Sequence, residues 1–232
     1  VGAVTFAHQH GCGIIGDDVA GIDNFFVALA DHPNVQSVLA VGLGCETIQS
    51  QELAAKLLAR NVSTQYRIIQ ESGGVEGTVA AGVAAAQDLR AQYPERTVAL
   101  SSLTIGIEVG RTVAQLDELE KLLKSEGCSV VTVRSEGSSA EAFSRLAEAK
   151  AHLIISFPDD NQPASGFPLI PVINVAGNGV LHQAIAGDFD CQEVNLLTEI
   201  LALINHVVAG SQTIAEKNRS GEIRAPRVVR SV

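Results

Sequence analysis

Residues 37–58 read SVLAVGLGCETIQSQELAAKLL, and this stretch decides the fold class. Ser37–Val41 is an apolar run of strand length, and glycines follow it at positions 42 and 44. From Ile48 to Leu58 apolar residues recur at intervals of three or four, which predicts an amphipathic helix. A second apolar run follows at Tyr66–Ile69, so the segment is typical of two parallel strands joined by a helix.

The same alternation extends to both sides of this unit. Further strands are predicted at Val4–Ala7, Val98–Leu103, Ser129–Val133, His152–Phe157 and Leu169–Val175. Further helices are predicted at Ile22–Ala30, Val75–Leu89, Val113–Leu123, Ala140–Ala149 and Cys191–Val208. Hydrophobic residues make up 46% of the chain and aromatic residues only 4%, a composition that suits helix-covered parallel sheets. We therefore predict an α/β fold.

A break at Tyr93–Arg96 divides the chain into two predicted domains. We expect two small Rossmann-like lobes with parallel sheets, each a three-layer α/β/α structure, facing each other across a cleft. The N-terminal lobe is predicted over residues 1–95 and the C-terminal lobe over 96–232. From about residue 211 the chain is polar and ends in basic residues, which predicts a tail on the surface.

The charge and the cysteines narrow the class of protein. A net charge of -10 argues against nucleic acid or an anionic membrane as a partner. No apolar run reaches the length of a membrane span, and no secretory signal peptide is recognisable. The four cysteines show no CxxC spacing, so we expect reduced thiols in the cytoplasm. The chain lacks methionine even at position 1, which indicates a processed chain or a fragment.

Three short motifs each follow a predicted strand in the first half. They read HQHGCG at 8–13, GLGCE at 42–46 and QESGG at 70–74. Because the carboxyl ends of parallel strands lie at one edge of a sheet, we expect the three loops to converge there, where ligands bind in such folds. The glycines precede predicted helices, whose exposed N–H groups favour carboxylate or phosphate. GLG is only a partial match to the dinucleotide fingerprint, so a nicotinamide site is not favoured.

Simpler interpretations exist for each residue taken alone. Cys45 is then a small buried hydrophobic residue, and Glu46 and Glu71 are ordinary acids near helix N-termini. Cys128 and Cys191 are interpreted as core residues. Three histidines outside the first motif, His32, His152 and His206, are interpreted as packing or surface residues. The role of a fourth, His182, stays open.

The motifs, read together as HQHGCG, HPNVQSVLAVGLGCE (32–46) and IQESGG (69–74), resemble the altronate/galactarate dehydratase family. That family also includes the large subunit of sulfolactate sulfo-lyase. The resemblance is dense over residues 5–90, thin over 97–150, and returns over 166–232, where GFPLIPVINVAGNGVLHQAIAGDFD stands at 166–190.

The resemblance implies metal-assisted loss of water from a sugar acid, which gives a 2-keto-3-deoxy acid. The implied metal is Fe²⁺, with Mn²⁺ or Mg²⁺ as alternatives. The residues implied as metal ligands are His8, His10, Cys12 and Cys45. Those implied in catalysis are His10, Glu46 and Glu71. Those implied in binding the small hydroxy-carboxylate substrate are Gly42, Gly44, Gln70, Ser72, Gly73 and Gly74.

The chain also departs from the family pattern. Where the family has Cys-Gly-Gly-Ser-Asp, this chain has Ser101–Gly106 without that Cys and Asp. The metal site is then incomplete, rebuilt from Asp159 and Asp160, or completed by another chain. Three functions follow: a hydro-lyase, a non-catalytic or complementing subunit of a larger dehydratase, and a sulfolactate-type sulfo-lyase. The apolar helix at Cys191–Val208 predicts a homo-oligomer or a partner subunit.

Overall fold

The structure, a computed structural model, describes residues 3–5, 11–91, 98–136, 138–221 and 223. They fall into two compact units, one within residues 1–96 and one spanning Thr97–Ile223. The two units contain parallel sheets of two and five strands, respectively, with helices between the strands. The predicted α/β class with parallel strands is therefore confirmed.

Within its described residues, the first unit contains a pair of parallel strands. β1 spans Ser37–Gly42 and β2 spans Ser63–Ile68. They pair in register from Ser37 opposite Ser63 to Gly42 opposite Ile68. The helices of this unit are α1 at Asp17–Ala30, α2 at Ser50–Leu58 and α3 at Gly74–Ala91. Because α2 connects β1 to β2, this region is the strand–helix–strand unit that the sequence predicts.

Regular apolar spacing gives these helices their buried faces. α1 buries Ile22, Phe25 and Leu29, which are three and four residues apart. α2 buries Ala54 and Leu57. Residues three or four apart lie on one side of a helix, so the periodicity of the sequence is also the periodicity of burial.

The second unit contains a five-stranded parallel sheet. Its strands are β3 at Thr104–Val109, β4 at Ser129–Arg134, β5 at Leu153–Phe157, β6 at Val172–Ala176 and β7 at Cys191–Gln192. Their order in the sheet is β4-β3-β5-β6-β7. The chain therefore runs first to one side of β3 and then to the other, as in doubly wound folds.

Helices cover this sheet and complete its core. They are α4 at Leu116–Ser125, α5 at Ser139–Glu148, α6 at Val180–Ala184, α7 at Leu196–Val208 and α8 at Ile214–Lys217. β5 and β6 are buried at every position, as expected for central parallel strands. The predicted core positions of Cys128 and Cys191 are confirmed, since both side chains are buried.

One carboxylate is fully buried in the second unit. Glu108 on β3 is 0% exposed and accepts hydrogen bonds from three serine hydroxyls. Ser156 donates at 2.8 Å, Ser139 at 3.2 Å, and Ser135 also donates. Three donors compensate the desolvation of the carboxylate, which would otherwise strongly oppose folding.

The prediction of a strand at Val98–Leu103 is wrong. Leu100–Ser102 forms a 3₁₀ turn, and the strand begins at Thr104. The true strand contains Gly106, where a Cβ atom would approach the Leu146 side chain to 3.1 Å. Gly106 and the buried Glu108 interrupt the apolar pattern of this strand. The apolar run at Val98–Leu103, just before it, therefore resembles a strand more closely in the sequence.

The helix predicted from Cys191 begins later, at Leu196. Cys191 and Gln192 instead pair with Val175 and Ala176 as the edge strand β7. The tail predicted from about residue 211 contains α8. A capping box at Thr213 stabilises the N-terminus of this helix. Residues 224–232 lie outside the described part of the chain, and so does part of the strand predicted at Val4–Ala7.

Of the helices in the described ranges, none combines the length and the apolar character that crossing a bilayer requires.

Candidate functional site

The loops that follow β1 and β2 lie side by side at the carboxyl edge of the first unit. The Ile69 amide donates to the Gly42 carbonyl at 2.9 Å, and the Gln70 amide donates to the Leu43 carbonyl at 3.2 Å. The second and third motifs therefore share one edge, as the parallel arrangement requires.

Cys12 lies against the first of these loops. It sits in a 3₁₀ turn at Gly11–Gly13, and its Sγ is 3.6 Å from the Sγ of Cys45. The Cys12 thiol also donates to the Cys45 carbonyl at 2.9 Å. Both cysteines are exposed, so the structure does not support the interpretation of Cys45 as a buried hydrophobic residue.

Thr47 fixes the position of this turn. Its amide donates to the Gly11 carbonyl at 3.5 Å, and its hydroxyl donates to the Ile14 carbonyl at 3.2 Å. The two thiols are therefore held close together by the backbone on both sides of Cys12.

The neighbouring thiol makes Cys12 a weaker acid. The hydrogen bond with Cys45 raises the pKa of the Cys12 thiol, and some desolvation and the charges of Cys45 and Glu46 add to this effect. The Cys12 thiol therefore loses its proton less readily than an isolated cysteine does.

The Glu46 carboxylate is engaged by the backbone of its own loop. It accepts hydrogen bonds from the Leu43 amide and, at 2.8 Å, from the Gly44 amide. Gly44 has a φ of 119°, and a Cβ atom there would lie 2.7 Å from the Gln70 Oε1. Glu46 thus shapes the loop that carries Cys45, a role that its position in the sequence does not reveal.

Gly42 is needed for close packing at the start of the same loop. It is buried, and a Cβ atom there would lie 2.7 Å from the Ser50 hydroxyl at the beginning of α2.

The third motif forms the tight turn that leads into α3. The Ser72 amide donates to the Ile68 carbonyl at 3.0 Å, and the Gly74 amide donates to the Ile69 carbonyl at 3.1 Å. These two amides stabilise the turn, so a substrate bound by them would have to displace those bonds. Glu71 and Gly73 are exposed in the same turn.

Gly77, near the start of α3, also packs closely against this turn. A Cβ atom at Gly77 would lie 2.0 Å from the Ser72 carbonyl oxygen. The spacing GGVEG at 73–77 is the only signal in the sequence, and it does not distinguish a close approach from a flexible turn.

The described residues supply only part of the predicted metal site. His8 and His10 lie outside the described part of the chain. Within that part, no group of three or more His, Cys, Asp or Glu side chains is arranged to hold a metal ion.

The two thiols do fit one metal ion as partial ligands. Thiolate sulfurs bind zinc at about 2.3 Å, so two of them on a tetrahedral ion lie roughly 3.8 Å apart. The observed separation of 3.6 Å is close to that value. Thiolates favour iron or zinc over magnesium, which prefers oxygen ligands.

In the second unit, Asp159 and Asp160 have structural contacts. Asp159 accepts a hydrogen bond from the Asn161 amide at 2.9 Å, which stabilises its own turn. Asp160 lies 3.7 Å from the buried guanidinium of Arg111, which also pairs with Glu193. The contacts of these residues do not by themselves form a replacement metal site.

His182, whose role the sequence leaves open, is fully buried nearby. Its Nδ1 accepts a hydrogen bond from the Gly177 amide at 2.9 Å, and its Nε2 lies 2.9 Å from the Gln162 carbonyl. The imidazole therefore joins the loops that follow β5 and β6.

Comparison with known proteins finds a family similarity that covers most of the first unit. Residues 1–93 match the family model described as "D-galactarate dehydratase/Altronate hydrolase, second domain". The chain is 35% identical over 111 residues to an altronate dehydratase of Bacillus subtilis (strain 168), a match covering 46% of this chain and 22% of that protein.

A shorter match is to an altronate dehydratase of Escherichia coli (strain K12). It is 40% identical over 48 residues, which are 21% of this chain and 10% of that protein. The matches thus span about a fifth and a tenth of the two relatives. No solved structure matches the chain significantly.

Proposed function

We propose that this chain is a metal-dependent hydro-lyase that converts a sugar acid of the altronate or galactarate type into a 2-keto-3-deoxy acid. One observation carries this proposal. In the unit that matches the dehydratase second domain, Cys12 and Cys45 meet 3.6 Å apart at the carboxyl edge of the strands. This edge is where parallel α/β structures bind their ligands.

The chemistry divides between the residues of the three motifs. Water is lost when a base removes the proton beside the carboxylate and an acid protonates the departing hydroxyl group. We assign Glu71, which is exposed at this edge, as the base and His10 as the acid. The enol product then tautomerises to the 2-keto acid.

The remaining residues of the three motifs are proposed to bind the metal ion, to hold the Cys45 loop in shape and to contact the substrate. Cys12, Cys45 and His8 are proposed to hold the divalent ion, with Fe²⁺ favoured by the thiols. A bound divalent ion would polarise the oxygen atoms of the hydroxy acid and stabilise negative charge on them. Glu46 keeps the Cys45 loop in shape through its two amide bonds, and Gln70 and Gly73 are proposed to contact the substrate.

The test is an anaerobic preparation assayed for metal content and for 2-keto acid formation from a panel of hexarates and aldonates. We expect bound iron in the wild-type chain and less in Cys45→Ser. Glu71→Gln should lower the turnover rate by about 100-fold or more, since a general base contributes about that much.

Glu76→Gln, on the exposed first turn of α3, is the matched control and should keep full turnover. The absence of both bound metal and keto product across the whole panel would refute the proposal.

A second candidate is a complementing subunit of a larger dehydratase. It is favoured by Val75, Val79 and Val83, which are exposed on one face of α3 as association surfaces often are. Activity that appears only after mixing with a longer chain would support this candidate, while activity of the isolated chain would exclude it.

A further inference from the structure

We propose that Cys12 and Cys45 form a reversible intramolecular disulfide, so that the paired loops of the first unit are a peroxide-sensitive modification site. The two sulfurs are in contact at 3.6 Å, and a disulfide needs them about 2.05 Å apart. Bond formation therefore requires the two sulfurs to move about 1.5 Å closer together.

The backbone holds the two thiols together before any reaction. Thr47 binds the turn on both sides of Cys12, through the Gly11 and Ile14 carbonyls. The Cys12 thiol also contacts the Cys45 carbonyl at 2.9 Å. Groups held in contact react faster than groups that must first meet by diffusion of the chain.

Exposure distinguishes Cys12 and Cys45 from the other two cysteines as targets of an oxidant. Cys12 and Cys45 are exposed, whereas Cys128 and Cys191 are buried. Cys128 is further engaged with the Leu100 carbonyl at 3.4 Å. A small oxidant therefore reaches the first pair and not the other two cysteines.

The reaction balances with a hydroperoxide as the oxidant. One thiol loses its proton, and the resulting thiolate attacks the peroxide oxygen and becomes a sulfenic acid; for hydrogen peroxide the leaving hydroxide takes up a proton and departs as water. The second thiol then attacks that sulfur, forming the S–S bond and releasing another water. Two electrons pass from the cysteines to the peroxide, and the product is the same whichever sulfur reacts first.

The consequence for activity rests on the proposed function. Disulfide sulfurs lack the thiolate that binds a metal ion, so the oxidised chain is expected to lose two of its proposed ligands. Thiol reductants should restore them. Formation of the disulfide itself does not depend on the chain being a dehydratase.

The test is to expose the reduced full chain to hydrogen peroxide and map its disulfides. Cleavage before aspartate separates Cys12, in residues 1–16, from Cys45, in residues 31–87. We expect these two peptides to be joined under non-reducing conditions, at a yield that does not change on dilution. Cys128 and Cys191 should remain reduced.

The urea-unfolded chain is the matched control, because it has the same cysteines without their fixed contact. The folded chain should form the link at least about tenfold faster. In Cys12→Ser, Cys45 should instead be trapped as a sulfenic acid by dimedone.

An equal or slower rate in the folded chain, or links between chains in place of the internal link, would overturn the proposal. Iron binding by the reduced chain is measured separately, so a failure of the disulfide is distinguishable from a failure of the proposed function.

Discussion

Glu46 shows how a side chain of catalytic type can serve the backbone instead. Its carboxylate accepts hydrogen bonds from the Leu43 and Gly44 amides, just before α2 begins. The sequence indicates an acid near a helix start but not this local loop, because the loop depends on the φ of 119° at Gly44. Among the predicted acids, Glu71 is the more accessible one.

Cys191 gives the second unit a pH-dependent stability. Burial, with the charges of Asp190 and Glu199, raises the pKa of Cys191 to about 12. In the unfolded chain a cysteine titrates near 8.5–9, so the folded state holds this proton more tightly. Its contribution to stability is complete below pH 9 and is lost as the pH rises toward 12.

We expect the free energy of unfolding to fall by about 2 kcal/mol through this residue between pH 8 and pH 10.5. Urea unfolding at the two pH values measures the change. Cys191→Ala should show a correspondingly smaller fall. The same fall in Cys191→Ala would show that other groups cause it.

Helix α3 depends on a glycine near its start. A Cβ atom at Gly77 would lie 2.0 Å from the Ser72 carbonyl oxygen, whereas one at Gly82 would lie 3.7 Å from Leu39. Replacing a helical glycine by alanine normally stabilises by about 0.5–1 kcal/mol. At Gly77 the collision with the backbone should reverse the sign.

We therefore expect Gly77→Ala to destabilise the first unit by about 1–3 kcal/mol, the cost of displacing the Ser72 turn. Gly82→Ala should be neutral or stabilising. Thermal unfolding of the two variants checks the difference, and a stabilising Gly77→Ala would show that the turn moves freely.

The elements that the sequence predicts best have regular apolar patterns. β5 and the helices α1 to α5 lie where the periodicity places them, with shifts at their ends. β3 is missed because Gly106 and Glu108 interrupt it, although Gly106 serves the close packing of Leu146. β7 is missed because only its pairing with β6 identifies a strand of two residues.

The site, like the fold, is predictable from the sequence only in part. Parallel strands bring the Gly42–Glu46 and Gln70–Gly74 loops to one edge, a consequence of the topology alone. The contact between Cys12 and Cys45 depends on the hydrogen bonds of Thr47 and on a turn at Gly11–Gly13. Such contacts are specified by three-dimensional packing and not by spacing along the chain.

Among the residues that the structure describes, the buried apolar clusters of the two units differ in size. In the second unit a continuous cluster of buried side chains joins β3, β5 and β6 with α4 and α7. The corresponding cluster described in the first unit centres on Val27, Ala30 and Leu57. More buried apolar surface means a larger free energy of opening.

Hydrogen–deuterium exchange should therefore be slower in the second unit. We expect amides of β5 and β6 to exchange at least about tenfold more slowly than those of β1 and β2, as larger opening energies require. Mass spectrometry of peptides from the two regions measures this in one sample. Equal exchange rates would indicate that both units open in a single step.

The buried Glu108 also fixes how the strands of the second unit align. Ser156 lies opposite Glu108 in the β3–β5 pairing, and Ser135 follows the end of β4. A slip of either neighbour by one residue would turn its hydroxyl away from Glu108 and remove one of the three donors to this buried carboxyl group. Ser156 and Ser135 therefore penalise a shifted β5 or β4 during folding, because only the correct alignment keeps both hydroxyls on Glu108.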